Sequence, residues 1–121
     1  MKKIIEGYKA FNKDMKNRYG YEFAEGKTYS VKGPLEFGTT GNGFHFCKRL
    51  EDTLRYFPTI NNEEVKFAKV TSLDEAVEFY DEYYGYYDMY AARKIKIEKI
   101  LTRKEIISMF LNTYEERVIR F

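Results

Sequence analysis

Cysteine, histidine, proline and tryptophan are scarce or missing in this chain. It has one cysteine (Cys47), one histidine (His45), two prolines and no tryptophan. A single cysteine excludes an internal disulfide and agrees with a reducing compartment. A lone His–Cys pair also falls short of the three or four ligands that zinc needs, so we predict no metal. No apolar run is long enough for a transmembrane helix, and we expect a cytoplasmic protein without membrane contact.

Apolar and aromatic residues are plentiful, and charge is unevenly distributed. The chain of 121 residues is 44% hydrophobic and 18% aromatic, which suffices for one core and predicts a single domain, 1–121. Its net charge is +2, yet residues 63–88 hold eight Asp/Glu against two Lys, a local charge of −6. Because the basic residues near the amino end are only modestly in excess, we do not expect direct nucleic-acid binding.

Residue patterning predicts an α+β fold, a mostly antiparallel sheet with about three helices. Alternating or apolar stretches predict strands, with a bulge at Gly7 and a turn at Glu25-Gly26. Predicted strands cover 4–11, two parts of 21–31, 44–47, 65–70, 94–101 and a short tail at 117–121. Predicted helices cover 48–57, a segment from Leu73, and a segment that follows the capping box of Thr102 and Glu105.

The stretch DEYYGYYDMY at 81–90 is the most unusual feature of the chain. Six of the twelve tyrosines lie between Tyr80 and Tyr90, interleaved with acidic residues. Ser72 and Glu75 form a capping-box pattern, and helical spacing separates the aromatic residues from the acidic ones. This favours an amphipathic helix with an acidic back. A β-hairpin that turns at Gly85 is the alternative, since tyrosine also favours strands.

Four segments carry a resemblance to a known family: GYKAFNKD, YEFAEGKTY, GFHFCKRLEDTLRYFP and ARKIKIEKILTRKEI. Together they resemble an uncharacterised domain of phages and prophages with KAF-x-KD, E-x-GK-x-Y and GFH-x-C elements. The resemblance covers about 1–70 and 91–107, while 71–90 departs from the pattern. It implies a phage or mobile-element origin, action in the host cell cytoplasm, and no particular catalytic residue.

A second resemblance concerns GFHFC followed by LRYF. It is similar to the strand and tyrosine-bearing helix that flank the nicotinamide in ADP-ribosyltransferase-like folds. That likeness implies an NAD-using enzyme with Tyr8, His45 and Tyr56 lining the pocket, and Glu98 as the late acidic residue. This enzyme is the alternative to our main interpretation, which requires no cofactor.

The main interpretation is a protein that acts by binding. Tyrosine supplies large contact area at low entropic cost, and carboxylates complement a basic groove. We therefore expect an anti-defence inhibitor, of which anti-CRISPR proteins are one kind, whose partner is a basic nucleic-acid-handling host protein such as a nuclease. A homodimer interface and a structural or accessory phage role are further alternatives. The predicted partner-binding residues are Glu78, Phe79, Asp81, Glu82, Tyr83, Tyr86, Asp88 and Tyr90.

Overall fold

The computed structural model describes residues 4–16, 22–35, 42–55, 64–74, 76–81 and 86–119. Seven strands form one antiparallel sheet in the order β2-β7-β4-β1-β3-β6-β5. One α-helix and one short 3₁₀-helix accompany them in the described residues. The strands are β1 Glu6–Asn12, β2 Thr28–Ser30, β3 Phe44–Cys47, β4 Val65–Ser72, β5 Ala76–Asp81, β6 Tyr86–Ala92 and β7 Lys94–Ile100; the helix α1 is Arg103–Ile119.

The prediction of about three helices is wrong. The segment predicted as a helix over 48–57 forms a 3₁₀-helix, Leu50–Arg55. The segment predicted as a helix from Leu73 forms most of the β5–β6 pair. The tail at 117–121 was predicted as a strand, yet α1 continues through Ile119. Only the helix after Thr102 is confirmed, because Arg103 begins α1.

The capping box at the start of α1 is complete. The Glu105 backbone N–H donates to Thr102 Oγ1 at 3.2 Å, and the Thr102 N–H donates to Glu105 Oε1 at 3.1 Å. Lys99 Nζ donates to the other carboxylate oxygen at 2.8 Å. These bonds, the Lys99 bond foremost, lower the pKa of Glu105 to about 2. The reciprocal bonds satisfy two amides that a helix start leaves without partners.

Both faces of the sheet are buried near its centre. On one side, which we call the helix face, α1 and the 3₁₀-helix cover β1 and β4, with Phe67 and Ile106 at 0% exposure. The opposite side, the aromatic face, packs Phe11, Phe44 and Phe46 against further apolar residues. Each fully buried large side chain contributes about 1.5–3 kcal/mol to stability. The sheet is therefore the middle layer of the core.

The segment between β1 and β2 closes the aromatic face. Met15 and Phe23 both belong to this core, and Phe23 N–H donates to the Met15 carbonyl at 2.8 Å. Phe23 also lies 4.9 Å, centroid to centroid, from both Phe11 and Tyr29. Edge and tilted ring contacts of this kind add to the burial energy. The connection, although rich in polar and charged residues, thus supplies two core side chains.

Candidate functional site

The tyrosine-rich, acidic segment forms a two-stranded antiparallel hairpin at one end of the sheet. β5 pairs with β6 from Ala76–Ala92 to Asp81–Tyr86, and β6 pairs with β3. The helix predicted for this segment is therefore wrong, and the hairpin alternative is correct. Glu82, Tyr83 and Gly85 lie outside the described residues.

The strands rearrange the side chains that a helix would have separated. The ladder passes from the pair Phe79–Met89 to the pair Tyr80–Tyr87, so Asp88 is the extra residue of a β-bulge. A bulge shifts the side-chain alternation by one residue. The side chains of Phe79, Asp81, Tyr86 and Asp88 lie outside the described part. All four residues lie on the two strands of the hairpin.

Tyr90 belongs to the core and is only 6% exposed. Its ring stacks on Phe46 with the centroids 5.7 Å apart and the planes 21° apart. Glu78 lies directly opposite Tyr90 on β5 and is exposed. Burial, followed by the charge of Glu78, raises the pKa of Tyr90. Tyr90 is therefore a core residue, whereas Glu78 is exposed on β5.

β5 is the edge strand at this end of the sheet. Among the described residues, no strand pairs with its outer side. Its six residues, AVEFYD, include no lysine, arginine, proline or glycine, and Val77 is 41% exposed. The opposite edge strand, β2, has only three residues. Native sheets usually protect an edge with a short strand, with charged side chains, lysine above all, or with a proline. In the described chain, β2 is protected by its shortness, whereas β5 is six residues long and its charged residues, Glu78 and Asp81, are both acidic.

Two of the three residues predicted for the NAD alternative come near one another. Tyr8 of β1 pairs directly with Cys47, and His45 lies two residues away on the same strand. Residues opposite each other in an antiparallel pair share a face, so Tyr8 and His45 share one. Tyr56 lies outside the described residues. Glu98 lies on β7, separated from β1 by β4, and its carboxylate is 3.8 Å from Lys96 Nζ.

Lys9 forms an interior contact that the sequence pattern did not predict. β1 and β3 pair at Tyr8–Cys47, and next to this pair Lys9 Nζ donates to the His45 carbonyl at 2.7 Å. The ammonium also lies 5.6 Å from the Phe11 ring centroid. Burial lowers the pKa of Lys9 to about 8, while the nearby Cys47 acts in the opposite direction. The Lys9 side chain therefore links β1 to β3 within the sheet.

The described residues contain neither a candidate metal cluster nor a helix that could span a membrane. No group of three or more His, Cys, Asp and Glu side chains could hold a metal ion among the described residues. No helix in that same part is long and apolar enough to cross a membrane.

The fold and the hairpin define a class: a single antiparallel sheet backed by one helix over the described residues, with an acidic strand at one edge. The family assignment follows from the sequence. The chain belongs to the family described as a domain of unknown function, DUF7666, whose model matches residues 5–109. No curated protein and no solved structure matches the chain. The ADP-ribosyltransferase-like fold prediction is thereby corrected, because no structure of that fold matches.

Proposed function

We propose that this protein acts by binding, and that the outer edge of β5 is its contact surface. The observation that carries the proposal is the open edge of β5: six residues long, acidic, without basic residues, with Val77 41% exposed. An edge strand presents backbone N–H and C=O groups to any extended segment that can pair with them. Val77 adds apolar contact area next to those groups.

Charge supports a basic partner. Glu78 is exposed on the edge strand, Asp81 ends it, and residues 63–88 carry eight Asp/Glu against two Lys. Opposite charge speeds encounter and fixes the orientation of a docking segment. A second copy of the chain would bring acidic β5 against acidic β5, which like-charge repulsion disfavours. A basic strand from another protein is the complementary occupant.

The partner class that this charge favours is a nucleic-acid-handling protein such as a nuclease, whose basic groove would be covered by the bound domain. An anti-defence inhibitor, for example an anti-CRISPR protein of phage origin, is the biological role we propose for such a contact. Its support is the acidic edge, and the resemblance of the chain's motifs to phage domains agrees with it.

The test compares the wild type with Glu78→Lys and with Glu64→Lys as a matched control. Both glutamates are exposed and lie within the acidic stretch 63–88, but Glu64 lies outside β5. Tagged proteins of each kind, verified as folded by circular dichroism, are used to capture partners from bacterial lysate. We expect a basic nucleic-acid-binding protein to be retained by the wild type and Glu64→Lys and to be lost with Glu78→Lys.

Two further readouts separate edge pairing from diffuse attraction. Partner binding should slow amide hydrogen exchange in Ala76–Asp81 more than in the other strands, because new backbone bonds form there. Retention should also weaken as salt is raised, since exposed charges are screened. Equal retention by all three proteins, or unchanged exchange in β5 after partner binding, would contradict the proposal.

A further inference from the structure

The two faces of the sheet differ in chemistry at the β5 edge. On the neighbouring strand, Ala91 pairs with Val77 and Tyr90 pairs with Glu78. Residues directly opposite each other in an antiparallel pair share a face. Tyr90 and Ala92 belong to the core on the aromatic face, and Ala91 lies between them on β6, so it points to the other side. Val77 therefore lies on the helix face, and Glu78 lies on the aromatic face.

The position of the Glu78 carboxylate is supported independently by its effect on Tyr90. Burial is the larger cause that raises the pKa of the Tyr90 phenol, and the charge of Glu78 raises it further. A carboxylate has this effect only when it lies close to the titrating group. Glu78 is also exposed, whereas Tyr90 is 6% exposed. The negative charge thus lies at the surface of the aromatic face, beside the last core ring before the edge.

The helix face of the same edge is apolar. Among the side chains that the structure describes, the exposed large apolar ones are Ile4, Val77, Ile107 and Leu111, and only Val77 belongs to a strand. Its inner neighbour Ala91 is 0% exposed. An incoming side chain on this face would therefore meet valine first and the buried alanine behind it.

A strand that pairs with this edge would present its side chains to both faces in turn. Paired strands lie about 4.7–4.9 Å apart, and successive side chains point to opposite faces. The residue opposite Val77 would gain from an apolar, β-branched or aromatic side chain, and the residue opposite Glu78 would gain from a positive charge. Because Val77 and Glu78 are adjacent, these two requirements fall on adjacent residues of the partner. A uniformly basic strand would set a charge against Val77.

We infer that β5 selects an extended partner segment in which apolar and basic residues alternate, with an apolar residue opposite Val77 and a lysine or arginine opposite Glu78. The partner's backbone supplies affinity by pairing with the edge, and its alternate side chains supply specificity. This selectivity rests on the proposed contact at β5 and adds to it the class of sequence that is recognised. Net positive charge alone does not meet the requirement, because it ignores the face of Val77.

The experiment measures the affinity of the purified protein for two fluorescently labelled peptides of identical composition by fluorescence anisotropy. Each peptide has valines and lysines in equal number, alternating in one and separated into two blocks in the other. We expect the wild type to bind the alternating peptide about fivefold more tightly or better, because the block peptide mismatches several cross-strand pairs. Val77→Ser should bring the two affinities together. Ile107→Ser is the matched control, because Ile107 is 37% exposed but lies on α1, and it should keep the wild-type difference.

A second readout tests backbone pairing directly. Alternate residues of an antiparallel strand direct their N–H and C=O groups to the outer side, so the alternating peptide should slow amide exchange at every second residue of β5. Equal affinity of the wild type for the two peptides, no binding of either, or an unchanged difference in Val77→Ser would overturn the selectivity. Glu78→Lys reports separately on the proposed contact: if it weakens both peptides equally in a protein that does not distinguish them, the acidic edge still binds and only the alternation fails.

Discussion

Gly7 lies where a side chain on β1 would collide with β3, and replacing it with alanine should destabilise the fold. Gly7 is buried and pairs with Val70 in an unbroken β1–β4 ladder, so the bulge predicted there is absent. A Cβ at this position would collide with the Cys47 carbonyl oxygen and would lie 2.7 Å from Cδ2 of the Phe46 ring. Glycine in a strand interior often marks such a close approach.

The magnitude follows from how little the neighbours can move. Phe46 is 2% exposed and stacks on Tyr90, and the Cys47 carbonyl belongs to β3. Overpacking of this kind costs about 1–3 kcal/mol. Loss of glycine's freedom in the unfolded chain offsets about 0.4–1 kcal/mol of that cost. We expect a net loss of about 1–2 kcal/mol, or a fall in Tm of about 4–8 °C.

Urea unfolding followed by far-ultraviolet circular dichroism measures this loss, and a double-mutant cycle identifies its cause. Phe46→Leu alone leaves a cavity, but in the Gly7→Ala background it should also relieve the ring contact. The double variant should therefore lose less stability than the sum of the two single variants. Gly26→Ala is the matched control for the cycle: nothing lies within 4 Å of a Cβ there, but φ is +81°, so its loss comes from backbone strain alone and should add to that of Phe46→Leu. Wild-type stability in Gly7→Ala, or strict additivity with Phe46→Leu, would refute the reasoning.

Three further predictions concern titrating groups. The folded pKa of Glu105, about 2, lies below its ordinary value, so the stability that Glu105 contributes is present above about pH 4.5 and is lost as pH falls toward 2. The urea midpoint of Glu105→Gln should therefore change less with pH over that range than the midpoint of the wild type. The folded pKa of Lys9, about 8, lies below its ordinary value of 10.5, so the wild type should gain stability as pH rises between these values. Lys9→Met should remove that gain, and an unchanged profile would argue against burial of the ammonium. Tyr90 should ionise above the ordinary range for tyrosine, so an ultraviolet pH titration of Tyr90→Phe should lose only a late step.

Two capping-box patterns show how far local sequence predicts this fold. Thr102 with Glu105 begins a helix, and both reciprocal hydrogen bonds are present. Ser72 with Glu75 has the same pattern, yet Ser72 is the last residue of β4 and its Oγ accepts the Ile5 N–H at 2.8 Å. The serine oxygen satisfies an amide distant in sequence instead of one three residues ahead. Spacing alone cannot distinguish these two uses of a hydroxyl.

The strands were predicted best where alternation and burial agree. Phe44–Cys47 was predicted with its observed bounds, and Ile95 and Ile97 of β7, which alternate with lysines, are both 0% exposed. In β4, by contrast, the apolar residues Phe67 and Ala68 are adjacent and break the alternation. β4 lies inside the sheet, so Phe67 packs on the helix face and Ala68 on the aromatic face. A strand buried on both sides shows little alternation.

The sequence drew attention to the acidic, tyrosine-rich residues of the candidate site, but the helix predicted for them is a pair of strands. The acidic and aromatic residues around Tyr90 satisfy helical spacing as well as strand pairing, and the choice between them depends on β3, which is distant in sequence. The exposed Glu78 and the buried Tyr90 become distinguishable only when that neighbour is known. The interior role of Lys9 likewise depends on a carbonyl of β3. Contacts of this kind leave no periodic signal within either segment.

The strand order has a consequence for how the chain folds. β1 lies between β4 and β3, and β2 pairs with β7, so Tyr8 must find Cys47 and Lys69 while Thr28 must find Lys96. Proteins dominated by such distant pairings fold slowly, because loop-closure entropy is lost before any contact is gained. During synthesis, β1 has no strand to pair with until β3 or β4 has left the ribosome. β2 ends at Ser30 and has no partner until β7 begins at Lys94, so among the described strands it stays unpaired for the longest part of synthesis.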